Sequence, residues 1–510
     1  MKNKEWFARI GCSALALLLC GGIFAGCKGE DKPAPGTTGG SQGSVSEETS
    51  SSDPYASGLP DGLTFGDRKV TMVCRDMEGV RDEFYATKES KGVIPEAVYG
   101  RNSAVEENLH VRLEMTMIAD DSTNTHATIA RKVEQEIMGG LCSYQIVTAP
   151  NYTVAPGTLE GYYLDLNRLN WMDTEKYYWS QGYNEVASVG QAQYTATGMA
   201  ALSLYRFMYV TVYNNRVFEA NGLENLFDAV NENRWTMEYQ YELASGLYSD
   251  LNNIGERDAE DAYGFLSGAR TSVDSYWVSC RSWVIGKDDD NFYTYTANAE
   301  RLSGMVDKVL KLYYRCDGSY IIPYGQDNTD NAEIVKVFSR GNTAMANMKI
   351  YAIENGLQKL DFEFSIVPLP KYDELQQSYY TNVQDQVTVL AVPRTVAAND
   401  REMIGAVTES LAYEGYRHIY PAYFESTLPH RYLKNPQSAE MLRLIYESSN
   451  FVMVYQGLAT EVGWTTLVRN MIRDKANTVS SALAGAEEGI PEALNKINGK
   501  FRELANKKQE

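Results

Sequence analysis

Four histidines, His110, His126, His418 and His430, are the side chains best suited to proton transfer or zinc ligation, and their spacing equips them for neither. None lies in an HExxH string, none has a second histidine one helical turn away, and no serine-nucleophile elbow partners them. Each is expected to be structural or exposed. The acidic run at 287–291, KDDDN, lacks the alternation, glycine and distal glutamate of a calcium loop, so a hairpin turn is predicted there. Cys74, Cys142, Cys280 and Cys316 show no CxxC spacing; buried free thiols are the default, with one or two disulfides left open. A carboxylate pair of the glycosidase kind is open among 67 acidic residues, but nothing in the sequence nominates one. Arg206 stands inside an apolar run, where a cation must find a carboxylate, and a buried Asp or Glu of the chain itself is the expected partner.

The cysteine with a clear chemical fate is Cys27. Upstream of it, Lys2, Lys4 and Arg9 precede an uncharged stretch at 10–26, which is the order of an export signal. That stretch has 17 residues and four glycines, short of the roughly 20 apolar residues a membrane span needs. A signal peptidase tolerates only small side chains just before its cut. Cys20 follows Leu18 and Leu19, whereas Cys27 follows Ala25 and Gly26. The string Phe24-Ala25-Gly26-Cys27 resembles the lipobox of bacterial lipoproteins, which implies a diacylglycerol on the Cys27 thiol and anchoring at the extracellular face of the membrane. An ordinary secreted protein with a buried Cys27 is the alternative. Net charge is −20, and loss of residues 1–26, with three cations and one anion, takes it to −22. So acidic a body is repelled by nucleic acid and by anionic headgroups, leaving the lipid as its contact with the membrane.

Residues 28–62 are polar and rich in Gly, Ser and Pro, and cannot build a core. As a flexible coil they reach roughly 30 Å. From Lys69 onward structure alternates. KVTMVCRD reads as a strand, a helix follows at 95–109, and VRLEMTM alternates with period two as a half-buried strand. A helix carrying Ile129, Val133 and Ile137 on one face ends at Gly139 and Gly140, and SYQIVTA is the next strand. This βαβαβ order predicts an open parallel sheet with ligands beyond its carboxyl edge. The run 202–215, LSLYRFMYVTVYNN, reads as a long strand-rich segment leading into a helix at Arg216. Thr236 is expected to cap the helix in RWTMEYQYELA, with Glu238 in its first turn. Further strands are expected in AYGFLSG, TAMANM, FEFSIVPLP and QVTVLAVP, and helices from Asn399 on; KYDE at 371–374 reads as a solvated turn. With 510 residues, two domains or lobes are expected.

Several segments in order, YGRNSAVEENLHVRLE, GYYLDLNRLNWMDTEKYYW, VYNNRVFEANGL, RWTMEYQYELA, DFEFSIVPLPKYDELQQSYY, PAYFESTL and SAEMLRLI, make residues 69–485 similar to the extracellular solute-binding lipoproteins of bacterial ABC importers, family 1, carbohydrate type. The resemblance implies an α/β fold: a class II, periplasmic-binding-protein-like clamp of two lobes with open βα sheets and a hinge. It implies a signal peptide at 1–26, a lipidated linker at 27–62, a first lobe at 63–213, a second at 214–380, and a return to the first with C-terminal helices at 381–510. Crossings are implied near 213–215 and 368–387. It implies a monomer without cofactor or catalysis, whose partners are a small solute and the transmembrane subunits of a permease. A sugar needs flat aromatics beside hydrogen-bonding side chains. Tyr178 and Trp179 in the first lobe, Trp277 and Trp283 in the second, and Trp464 are the candidate platforms, with Arg206 as a candidate polar contact; each aromatic otherwise packs in a core or interface. Trp171 and Trp235, each bordering a helix, are expected to pack. A surface glycoside hydrolase, a receptor for peptide or another polar solute, and an adhesin are the competing readings.

Overall fold

The structure is a computed structural model of the chain and describes residues 55–120, 126–327, 331–433, 435–451 and 464–507. The export signal, Cys27 and most of the polar linker lie outside these residues. A strap at 55–67 opens the described chain. Tyr55 stacks on Tyr416 with ring centres 4.7 Å apart and meets the edge of Tyr177 at 5.5 Å. The Phe65 and Asp67 N–H groups then donate to the carbonyls of Leu109 and His110, at 2.9 and 2.6 Å.

Strand β1 (Arg68–Asp76) is buried on both faces, with Val70, Met72, Val73 and Cys74 at most 1% exposed, so its sequence is a continuous apolar run. The helix Val93–Leu109 leads to β2 (Val111–Ala119), which pairs with β1 in parallel. As the edge strand, β2 alternates: Arg112, Glu114 and Thr116 are exposed, and Leu113, Met115 and Met117 are half-buried. The helix Thr128–Met138 buries Ile129, Val133 and Ile137, and β3 (Ile146–Pro150) joins the other side of β1, again in parallel. The βαβαβ reading stands.

The next segment does not follow the expected pattern. Leu202–Arg206 is a short helix, not part of a strand. All five residues are buried, and an all-buried run carries no period by which helix and strand can be told apart. The strand proper is β4 (Tyr209–Asn214), and it already lies in a second sheet. The chain thus changes sheets by residue 208, ahead of the expected 213–215. In the second sheet β5 (Tyr263–Gly268) is followed by a hairpin of β6 (Ile285–Lys287) and β7 (Tyr293–Tyr295), then by β8 (Ser319–Ile322), β9 (Thr343–Lys349) and β10 (Phe364–Val367). KDDDN does form the turn of that hairpin, with Asn291 left-handed at φ 63°. Strand order is β10-β4-β9-β5-β8, with β5 parallel to both neighbours and β4 antiparallel to both of its own. Thr236 caps the helix Met237–Ala244, its side chain accepting the Tyr239 N–H.

The chain returns through β11 (Thr381–Asn382) to β12 (Thr388–Ala391), which adds to the first sheet antiparallel to β3. Outward and return passes touch: Met208 pairs with Val383, and the Gln384 N–H donates to Phe207 O at 3.0 Å. A third short strand, β13 (Ser449–Asn450), pairs in parallel with β11. The helix Gln181–Ala187 lies so close to this belt that a Cβ on Gly182 would stand 2.1 Å from Ser449 O, leaving room only for glycine. Arg401–Glu414 packs on Val93–Leu109 in the first lobe. The C-terminal helices serve both lobes. Trp464–Arg473 and Val479–Ala486 pack on Ala299–Tyr314 of the second, where the Tyr314 hydroxyl donates to Ile472 O at 3.0 Å and Asn477 Nδ2 to Ser303 O at 3.0 Å. Gly489–Asn506 returns to the first, with Phe501 beside Tyr194 and Arg168 Nη2 donating to Ala505 O.

Candidate functional site

The carboxyl ends of the parallel strands and the belt between the sheets bring together charged groups far apart in sequence. At the end of β1, Arg75 is 2% exposed and ion-paired to Asp120 just beyond β2, Nε to Oδ2 2.9 Å. Its Nη1 donates to Gln386 O at 2.9 Å and to the Thr388 hydroxyl at 3.3 Å, tying the first sheet to the returning chain. Beyond β5 the loop closes on Asp327, whose Oδ2 accepts the N–H groups of Arg270 (2.6 Å) and Thr271 (2.8 Å). The helix Asp274–Ser279 starts there, and Asp274 pairs with Arg469 from the C-terminal helix, Oδ1 to Nε 2.8 Å. The Asp274 charge raises the Arg469 pKa and keeps its proton fixed. Tyr324 lies between two guanidinium groups, Arg270 at 5.8 Å and Arg473 at 5.7 Å. At the belt itself Lys349, at the end of β9, donates to Gln384 Oε1 at 2.7 Å over the Phe207 ring.

The aromatics singled out in the sequence fall into different surroundings. Tyr178 and Trp179 are both 0% exposed, with no face open to a solute, and both are bound to Glu409: the Tyr178 hydroxyl to Oε1, and Trp179 Nε1 to Oε2 at 2.9 Å. The Asp173 N–H adds a third bond at 3.1 Å. Burial pushes the Glu409 carboxyl up to about 7, against the pull of those three donors. Trp277 is buried, its Nε1 donating to Ser282 O at 2.5 Å. Trp283 is half-buried, stands edge-on to Tyr380 at 5.6 Å and 89°, and has the exposed Arg281 guanidinium 5.4 Å from its ring and 5.3 Å from that of Tyr380. Trp464 opens the helix Trp464–Arg473; its side chain, like Cys27, lies outside the described residues. The expected packing roles of Trp171 and Trp235 hold: Trp171 Nε1 donates to Glu402 Oε1 at 3.1 Å, and the fully buried Trp235 to Pro368 O at 2.8 Å.

Arg206 has its carboxylates within the chain. Nη1 and Nη2 meet Asp82 at 2.7 and 3.1 Å, Nε and Nη2 meet Glu354 at 2.9 Å each, and the Tyr423 hydroxyl donates to Glu354 Oε2 at 2.9 Å. Lys371 corrects the KYDE reading. It is 0% exposed and its Nζ donates to Asn233 O (2.9 Å), Asn233 Oδ1 and Gln376 O (2.8 Å), because the turn pairs with Thr236 instead of facing water. Cys74, Cys142, Cys280 and Cys316 are free thiols, all buried but the half-buried Cys142. His110 and His126 hold left-handed backbone positions, and His418 faces Glu414 at 3.4 Å; the His430 side chain is outside the described residues. Among the described residues no group of three His, Cys, Asp or Glu could hold a metal, and no helix is long and apolar enough to cross a membrane.

Sequence reasoning missed Arg75, Asp120, Asp274 and Arg469. The rule applied to Arg206, that a cation in an apolar strand needs a carboxylate, would have found Arg75 at the end of VTMVCR. Nothing local announces the others.

No protein-family model and no curated protein matches the sequence. Solved structures do. An ABC substrate-binding protein from Listeria monocytogenes in complex with cycloalternan superposes with TM-score 0.52 at 13% identity, over 86% of this chain and 99% of that one. A sugar transporter from Rhizobium etli in an open conformation gives 0.54 at 15%, over 86% and 100%. A cyclo/maltodextrin-binding protein complexed with maltotetraose gives 0.51 at 12%, over 87% and 99%. At these identities the likeness is one of fold: a two-lobed, periplasmic-binding-protein-like α/β clamp spanning nearly all of each neighbour.

Proposed function

We propose that this protein is the lipid-anchored substrate-binding protein of an ABC importer, held at the extracellular face of the cell membrane through Cys27, and that it captures a mono- or oligosaccharide by lobe closure and delivers it to the permease. The observation that carries this reading is the belt in which Met208 bridges to Val383 and β11 pairs with β13, lying between two open sheets whose carboxyl ends carry the polar side chains. A ligand that touches both lobes favours the closed form by its difference in affinity between closed and open states. Arg75 and Asp120 at the first sheet's strand ends, Arg270, Asp274 and Tyr324 beyond β5, and the half-buried Trp283 and Tyr380 planes match a ligand of apolar C–H faces and many hydroxyls. The neighbours crystallised with cycloalternan and maltotetraose support the same class. In this reading residues 1–26 are the export signal, 27–62 the tether, and the chain binds without turnover as a monomer.

Tryptophan fluorescence of the purified protein, titrated with a saccharide and peptide library, tests the proposal, with small-angle scattering at saturation. Saturable response to a saccharide with a smaller radius and no released product is expected. Response to peptides alone, an unchanged radius, or hydrolysis of the sugar would overturn it. Cys27→Ala should move the protein from membrane to medium, and retention would refute the anchor.

A further inference from the structure

Where the chain returns between β11 and β12, Asp385 is half-buried, and its backbone carbonyl accepts the Tyr152 N–H of the first lobe at 3.4 Å. Among the described residues no side chain hydrogen-bonds or ion-pairs with its carboxylate. The neighbours that could do so are engaged: Arg469 with Asp274, Arg75 with Asp120, and Lys349 with Gln384. They are close enough for charge to be felt. Burial pushes the Asp385 carboxyl up, Arg469 and Lys349 pull it down, and Asp274 pushes it up again. On the second lobe's side the Tyr209 hydroxyl, on a residue 1% exposed, lies beside the Thr271 side chain and within range of the same Arg469 charge.

The charges around this point balance. Arg75–Asp120 and Arg469–Asp274 are neutral pairs, and Lys349 offsets Asp385. A floor with no net charge does not select an ion. An ionised carboxylate is acceptor-only, with two oxygens that each take hydrogen bonds from donors. Two adjacent hydroxyls offer donors at the spacing of those oxygens.

We propose that Asp385 reads the ligand's hydroxyls, its two carboxylate oxygens accepting hydrogen bonds from a vicinal diol of a neutral saccharide. The inference rests on the saccharide reading above and deepens it. Because Asp385 sits on the connection between the sheets, with Tyr152 on one side and the Asp274–Arg469 pair on the other, a diol bound there is within reach of both lobes as they close.

Isothermal titration of the full-length chain and its Asp385→Asn and Asp385→Ala variants tests it, against a panel of neutral saccharides including maltotetraose and cycloalternan, with D-glucosamine beside D-glucose. Hydrogen bonds to a charged group predict a loss of affinity of about tenfold or more in Asp385→Asn and a larger one in Asp385→Ala, with the thermal midpoint unchanged. If wild type binds and Asp385→Asn binds within about twofold of it, the Asp385 inference falls and the saccharide reading stands. A wild type silent toward every saccharide overturns both. Glucosamine preferred over glucose by tenfold or more overturns the neutral diol. If the variants do not fold, a crystal structure of the wild-type complex decides: both carboxylate oxygens within hydrogen-bond distance of ligand hydroxyls supports the inference, and a carboxylate facing away from the ligand overturns it.

Discussion

Two aromatic pairs show the same chemistry put to opposite uses. Tyr178 and Trp179 present no surface; their polar atoms both end on Glu409, which also accepts a backbone N–H, so the pair is a closed unit of the first lobe's core. Trp283 and Tyr380 are half-buried, meet edge to face, and have an exposed guanidinium beside both rings. Tyr178 and Trp179 are adjacent in the chain, whereas Trp283 and Tyr380 come from distant segments, and residue type alone does not tell the two uses apart. The difference lies in the carboxylate that completes the first pair, which comes from more than 200 residues downstream. Fully satisfied polar atoms mark structure; an aromatic corner left partly open is what a ligand can use.

The comparison is sharpened most strongly by Trp179→Ala. A fully buried indole leaves a cavity and takes away one of the three donors to Glu409, and about 3–5 kcal/mol of stability should be lost by urea titration. A loss below about 1 kcal/mol would mean that the pair is not core. Glu409→Gln comes next and acts through pH. Burial holds the folded carboxyl at about 7, above the ordinary glutamate value of 4.5, so folding takes up a proton between those values. Stability from this group is therefore present at low pH and lost as pH rises from about 4.5 to about 7, about 3 kcal/mol in all. Glutamine can accept from Trp179 and Asp173 through its oxygen and donate to Tyr178 through its amide. Urea midpoints at pH 5 and pH 8 should then differ less in Glu409→Gln than in wild type, and equal slopes would break the account. Smallest in stability is Trp283→Ala, with a change of no more than about 1 kcal/mol, as for a partly exposed side chain without a buried partner. Its effect should show in binding instead, as a saccharide affinity weakened roughly three- to tenfold. Undiminished affinity would remove Trp283 from the site.

Local rules recovered much of the frame. The continuous apolar run of β1, the strict alternation of β2 and the Thr236 cap each follow from neighbours within one turn or one strand, so each was legible. Leu202–Arg206 was not, because five buried residues in a row erase the period. Lys371 looked solvated for its composition, yet its ammonium is held by three oxygens supplied by a strand-like pairing with Thr236. The charged groups at the strand ends were least legible of all. Asp274 and Arg469 are 195 residues apart, and Asp385 is distinguished only by what does not touch it, which no string of letters records.

The strap at 55–67 has a mechanical consequence. Tyr55 is wedged among rings of the first lobe, and the backbone that follows is stitched to the end of Val93–Leu109. A leash entering from upstream would therefore haul on one jaw only. Its tension would reach the second sheet only through the contacts that the two lobes share.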